Sequence, residues 1–437
     1  MQRTILVLYT TIYRTGGDKF ARAAATLASE KAREFPGCNV ICEAVESKAA
    51  FVASSERVRT AGREILEFHF IGHSGVYGIM FGTDKWPEQF SPHEWRQLSI
   101  PFAENARFYF HACRTARWFA PFIARTLKVR TFGHWWYTTI SLSPRTFVWE
   151  ALSLSRDPAL HVISCPGKKS HGVLASPFKY SGLARAIPML EFAPSDEEID
   201  TSYDSVAELY DETFADITVR GDEWSWLTAQ LGRTEEKRVL DIGCGNGALL
   251  QQLSGRIASG TGVDASVNMI AQAKKRCAAQ SNLDFATIVG PHLPFPDDSF
   301  DVVVSLLSFR YLDWDPMIAE ILRVLKPGGR FLVVDMVAAP VELREVPALV
   351  EGKVRGITQR VSKARYGTAL KRMVTDSRWQ TMLKYNPIRS QHEMKWFLES
   401  RFPGNGVEIL NVGWNSRVIA FDSGPVHVKR VAPTAYP

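Results

Sequence analysis

The chain has no apolar run of about eighteen residues, the length a membrane-spanning helix needs, so none is expected. Its six cysteines lie far apart with no CxxC pair, which argues against a disulfide framework or a zinc site and for free thiols in a reducing cytoplasm. His161 and His171 lack ligand-like spacing, so no metal is expected. The N-terminal MQRTILVLYTTIY has no basic leader, long apolar core or small-residue cleavage site, and secretion is not expected. Repeats and low-complexity tracts are absent. The net charge of +6 arises from a positive excess before residue 190 that is spread out without basic runs, a poor footprint for nucleic acid.

What is present is a long, ordinary globular composition, 46% hydrophobic and 22% charged over 437 residues, enough for more than one core. Strand patterns alternate with helical ones, the signature of α/β domains with mostly parallel sheets. In the first part the expected strands are Arg3–Tyr9, Asn39–Glu43, Ile65–Gly72, Ala106–Ala112 and Val129–Trp135, with helices over Asp18–Phe35 and Ala116–Leu127. Residues 160–200 are weakly patterned, and Ala193-Pro194-Ser195-Asp196 reads as a linker. Two domains are expected, 1–190 and 191–437. The second has strands Arg238–Ile242, Ser259–Val263, Leu283–Ile288, Phe300–Ser305 and Arg330–Asp335, and a closing hairpin of Val407–Trp414 and Ser416–Asp422. Lys326-Pro327-Gly328-Gly329 is expected to end a helix over 315–325, and residues 340–400 read as mainly helical and basic.

The most informative segment is Val239-Leu240-Asp241-Ile242-Gly243-Cys244-Gly245-Asn246-Gly247. An apolar strand enters an acidic, glycine-rich turn whose spacing differs from the dinucleotide fingerprint, in which a helix N-terminus approaches a pyrophosphate. Asp241 offers a carboxylate to an ammonium group, while Gly243, Gly245 and Gly247 let backbone pass close to a ligand. Asp264, ending the next strand, can accept from both hydroxyls of a ribose, and both acids fall at the carboxyl edge of the sheet.

Together with Leu293–Ser305 and Leu322–Asp335, these residues resemble the class I S-adenosylmethionine-dependent methyltransferases over roughly 200–337 and the final hairpin. The resemblance implies a Rossmann-like seven-stranded domain with a helical lid over about 340–400 and S-adenosyl-L-methionine as cofactor. It implies a cofactor site of Tyr203, Tyr210, Asp241, Gly243, Gly245, Gly247, Asp264, Ala265 and Ser305, with Arg310 and Tyr311 on the substrate side. Arg310 holds either an anionic substrate or a helix carboxylate. The lid's Arg355, Arg360, Arg365, Tyr366 and Trp379 suit a small-molecule acceptor better than a protein, peptide or nucleic acid. The family's adenine-binding Asp is missing from Ile288–His292, where His292 either covers the ring or lies on the surface. Methyl transfer from a sulfonium is driven largely by orientation in a dry pocket, so no general base is demanded.

In the first domain one strand leads to His73-Ser74-Gly75 and another to His111-Ala112-Cys113-Arg114. A thiol nucleophile needs an imidazole nearby, and adjacent strand ends can supply one. The pattern resembles the caspase-like cysteine peptidases, which implies His73 and Cys113 as catalytic residues, Gly75 as an oxyanion-hole amide, and Arg114 favouring the thiolate. Departures from that pattern (His111, Thr115 and the intervening Ser74) point equally to a degenerate domain that aids substrate recognition or regulation. The aromatic run His134-Trp135-Trp136-Tyr137 is expected to pack between domains.

Overall fold

The computed structural model describes residues 2–196, 203–232, 235–352 and 364–427. These fall into two compact units that divide near residue 198.

The first unit is built on a sheet of six strands in the order Leu190–Phe192, Arg130–Gly133, Phe102–His111, Arg63–Ile71, Gln2–Tyr9, Asn39–Ala44. All neighbours run parallel except Leu190–Phe192, which closes one edge antiparallel. Ile5, Leu6, Val7 and Leu8 are all fully buried, as expected of a parallel strand covered on both faces. Helices Gly17–Glu34, Lys48–Thr60 and Phe119–Leu127 provide the cover. Lys48–Thr60, which the sequence pattern did not predict, starts at a Ser47 cap whose side chain accepts from the Ala50 amide. The weakly patterned stretch after 160 contains a short strand, His161–Ser164, paired to Thr138–Ser141.

The second unit carries a sheet of seven strands in the order Leu283–Thr287, Ser259–Asp264, Arg238–Ile242, Phe300–Leu306, Leu325–Ala338, Ser416–Asp422, Glu408–Val412. The first five run parallel and the last two close the sheet antiparallel. Strand order reverses between Arg238–Ile242 and Phe300–Leu306, so a crevice opens at their carboxyl ends. One expectation fails locally. The helix Trp314–Val324 ends before Lys326, with Arg323 as the basic residue of its last turn, and Lys326–Gly329 instead begins the long strand Leu325–Ala338.

The stretch expected as a lid contains the helices Ala364–Thr375, Ser377–Tyr385 and Gln391–Arg401, while Arg355 and Arg360 lie outside the described residues. Gln391–Arg401 buries Met394, Phe397 and Leu398, spaced three and four apart, in the core with Trp314 and Phe331. That apolar face makes it part of the sheet's cover.

Candidate cofactor and acceptor site

Strand Arg238–Ile242 ends in a loop fixed from both sides. The Gly243 and Cys244 amides donate to the Val263 carbonyl at 2.7 and 3.0 Å. Gly243 has φ +72°, and a Cβ there would lie 2.3 Å from the Cβ of Ser308. Gly247, at φ +75°, sits against Ala273 and Phe285, so its missing side chain lets the loop close on helix Val267–Arg276 and strand Leu283–Thr287. The Asp264 carboxylate accepts from the Gly245 amide and the Ser266 amide, each at 2.9 Å, which fixes its direction and leaves lone pairs for a ligand. Asp241 is 1% exposed and its Oδ1 has no hydrogen-bond partner. Burial, reinforced by the charge of Asp264, pushes its carboxyl up to about 8. A buried, unsatisfied carboxyl beside a glycine cradle fits a ligand that brings an ammonium group.

A cavity of about 340 Å³ opens at this point, lined by Gly243, Gly245 and Asp264 at one end. Tyr210 and Tyr203 continue its wall with rings 5.8 Å apart, and Tyr203 in turn meets Tyr311 at 5.8 Å and Trp379 at 6.0 Å. The far end is lined by Tyr366, Leu370, Met373, Trp379, Leu383 and Ile388. Burial, with the adjoining Tyr311 phenol, holds the Tyr203 hydroxyl well above its ordinary range, so it stays protonated. Arg220 also lines the cavity, stacked on Phe214 at 3.9 Å with a buried, unpartnered Nε. It belongs to no motif, and nothing in the sequence marked it.

The remaining expected residues are placed less directly. Ser305 is buried behind the cavity, where it donates to the Ile242 carbonyl at 3.2 Å and meets Ser308 Oγ at 2.7 Å; Leu306 and Ser308 form the lining instead. Ala265 is exposed and outside the lining. Arg310 is 6% exposed and ion-paired with Asp335, whose other oxygen accepts from the Arg310 amide at 2.7 Å. The partner of Arg310 is thus a strand carboxylate, where an anionic substrate or a helix carboxylate was expected. Burial opposes its charge, but Tyr311 and Asp335 outweigh this and hold its pKa above the ordinary value. The Tyr311 hydroxyl is buried beside Tyr203 and Arg310, with both of which it interacts. His292 is mostly exposed and pairs with Glu320 at 3.0 Å, a surface position.

In the first unit, strands Arg63–Ile71 and Phe102–His111 are parallel neighbours with Ile71 opposite His111, so His73 and Cys113 leave the same sheet edge. His73 Nε2 donates to the Thr15 carbonyl at 2.9 Å, which assigns Nδ1 as the ring's acceptor. Cys113 Sγ meets the Thr138 amide at 3.3 Å and its hydroxyl at 3.2 Å, and Ser74 ties the two loops by donating to the Cys113 carbonyl. Arg114 turns to the Tyr137 ring, so Thr138 and not Arg114 contacts the sulfur. Arg117 lies over both Trp135 and Trp136.

The family model of a methyltransferase domain matches residues 240–333. A demethylmenaquinone methyltransferase of Tropheryma whipplei (strain Twist) is 35% identical over 140 residues, 31% of this chain and 58% of its own. The uncharacterized methyltransferase YcgJ of Bacillus subtilis (strain 168) is 30% identical over 208 residues, 46% of this chain and 76% of its own. A solved SAM-dependent methyltransferase from Aquifex aeolicus is 17% identical, with a TM-score of 0.33, 52% of this chain and 99% of that one being covered. The chain spans about 58–61% of the length of the first curated relatives it matches. Given 30% identity across 76% of YcgJ, the chain belongs, through its second unit, to the class I S-adenosylmethionine-dependent methyltransferases.

Proposed function

We propose that the protein methylates a small-molecule acceptor held at the apolar end of the second unit's cavity. The observation that carries this is the continuity of one cavity from the Gly243–Asp264 end to the chamber of Leu370, Met373 and Trp379. Asp241 would take the cofactor's ammonium, Asp264 its ribose hydroxyls, and Arg220 its carboxylate. When bound, S-adenosylmethionine would supply a methyl group on positively charged sulfur to a lone pair of the acceptor. The protein's part is to align the two and exclude water. The relatives' names, among them a 27-O-demethylrifamycin SV methyltransferase and a fatty-acid O-methyltransferase, support a small acceptor over a polymer. The first unit would recognise the substrate or regulate transfer.

Calorimetry with S-adenosylhomocysteine tests the site. Asp264→Ala is expected to weaken binding by about 1–3 kcal/mol through lost charge-assisted hydrogen bonds. Equal affinity in the variant would remove Asp264 from the ribose.

A second reading, a thiol peptidase centred on His73 and Cys113, is favoured by one observation: both residues leave one sheet edge, with a backbone carbonyl orienting the imidazole. Covalent labelling of Cys113 by a peptidyl electrophile, lost in His73→Ala, is its test.

A further inference from the structure

We propose that the first unit docks on an anionic lipid bilayer through the segment of residues 166–186. Between Pro158 and Leu190 the sequence contains no Asp or Glu, while Lys168, Lys169, Lys179 and Arg185 all fall inside it. The acids that flank this stretch are already committed, Asp157 to Arg22 and Glu191 to Arg130. Lys168, Lys169 and Arg185 are exposed. So are the apolar side chains set among them: Val173, Leu174, Phe178, Tyr180 and Leu183, with Leu174 90% and Leu183 68% accessible. So many large apolar groups on one short basic segment mark a surface that is covered when the protein works.

The segment is held at its base and free at its turns. The His171 ring packs on Trp136 at 4.7 Å, Lys179 Nζ donates to Thr139 Oγ1 at 2.9 Å, and the Phe147 amide donates to the Ala184 carbonyl at 2.8 Å. Tyr180 also meets the exposed Trp149 at 5.7 Å, which widens the apolar surface. The helices Lys168–His171 and Ala175–Tyr180 have 4 and 6 residues, far too short to span a bilayer, so the contact is with head groups and the outer acyl region. Fluid acyl chains close round protruding side chains without a shaped counterpart, while lysine stems reach past them to lipid phosphates. Charge decides against the other occupants. A second copy docked on the same patch would set like cations face to face, and the interfaces of protein partners are poor in lysine.

The test is flotation of the full chain with vesicles of phosphatidylcholine alone and of phosphatidylcholine mixed with phosphatidylserine. The unaltered protein is expected to partition at least about tenfold more strongly onto the mixed vesicles, and to lose that preference in high salt. Leu174→Ser combined with Leu183→Ser is expected to weaken partitioning by at least about tenfold, through lost apolar burial. Lys168→Gln combined with Lys169→Gln is expected to weaken it by about twentyfold on the mixed vesicles alone. Equal partitioning onto the two vesicle types, or a leucine variant that floats as the unaltered protein does, overturns the proposal. So does a concentration-dependent dimer that fails to float and that the leucine variant abolishes, because the patch then belongs to a second copy. The comparison of vesicle types on the unaltered protein holds whatever the stability of the variants.

Discussion

Asp241, next to last in its strand, has an unpartnered carboxyl oxygen, and one strand away Asp264 adds negative charge to the same enclosure. The pair prepares a place for positive charge. Burial, with Asp264, raises Asp241 to about 8, so below that pH it is protonated. A bound ammonium favours the ionised form, and binding then expels a proton. Cofactor affinity is expected to rise with pH up to about 8, by at most about tenfold per unit, and to level off above. Calorimetry at pH 7 in buffers of different ionisation enthalpy reads the released proton directly. Asp241→Asn should abolish the release, and proton-neutral binding by the unaltered protein would falsify the assignment.

Gly243 tests the close approach of the loop. With φ +72° and Ser308 Cβ 2.3 Å from a modest added methyl, alanine there must shift both loops. Gly243→Ala is expected to cost about 2 kcal/mol in chemical denaturation and to weaken cofactor binding as well. Gly221, which has open space around it, is the control and should tolerate alanine. Comparable losses at the two positions would mean that the clash with Ser308 is relieved elsewhere.

The buried pair Arg310 and Asp335 predicts an asymmetry. Removing only the cation leaves Asp335, which is fully buried, without its guanidinium, so Arg310→Met is expected to cost about 3–5 kcal/mol. Replacing both, as Arg310→Met with Asp335→Leu, should recover most of that loss because neither charge is then stranded. Urea titrations of the two variants make the comparison, and a double variant no more stable than the single one contradicts it.

The first unit should fail in acid. His69 Nδ1 meets His111 Nε2 at 3.1 Å, and His69 Nε2 meets Glu67, which Lys31 also pairs at 2.8 Å. Burial lowers the pKa of His69 and His111 and takes His134, whose ring nitrogens are unpartnered, down to about 4. The unfolded chain therefore binds more protons than the folded one below about pH 6.5. Stability is present above that value and is lost as pH falls towards 4. Hydrogen exchange of the Arg63–Ile71 and Phe102–His111 amides should accelerate over this window, and His134→Gln should lessen the effect. Constant protection from pH 7 to 4.5 would show that the histidines stay neutral at little cost.

Much of this was legible in the chain because the site is made of backbone. Glycine spacing and strand-end acids are sequence features, and Arg238–Ile242 and Ser416–Asp422 fall at the expected residues. What escaped depends on distant chain segments meeting. Arg220 matters through its place beside Phe214, and its immediate sequence carries no signal of that. Ser305 has the expected position but turns its hydroxyl to the Ile242 carbonyl, a choice made by the neighbouring strand. Lys326–Gly329 looks like a helix stop and begins a strand, because pairing of Phe300 with Leu325 extends the ladder past the glycines. Lys48–Thr60 was missed because its apolar face is thin, with Phe51 and Val58 as its large buried residues.

The thiol at Cys113 separates the two functional readings. Its sulfur meets the Thr138 amide and hydroxyl, while burial lowers the pKa of His73, so its Nδ1 is available as an acceptor. If the first unit acts only in recognition or regulation, Cys113→Ala should leave both methyl transfer and the integrity of the chain unchanged. If it is a peptidase, the unaltered protein should be labelled by a peptidyl electrophile at Cys113, and both Cys113→Ala and His73→Ala should lose the label while retaining S-adenosylhomocysteine binding. Mass spectrometry of the labelled chain distinguishes these outcomes. Labelling that survives His73→Ala would reveal an ordinary surface thiol, because only a thiol activated by its imidazole depends on His73.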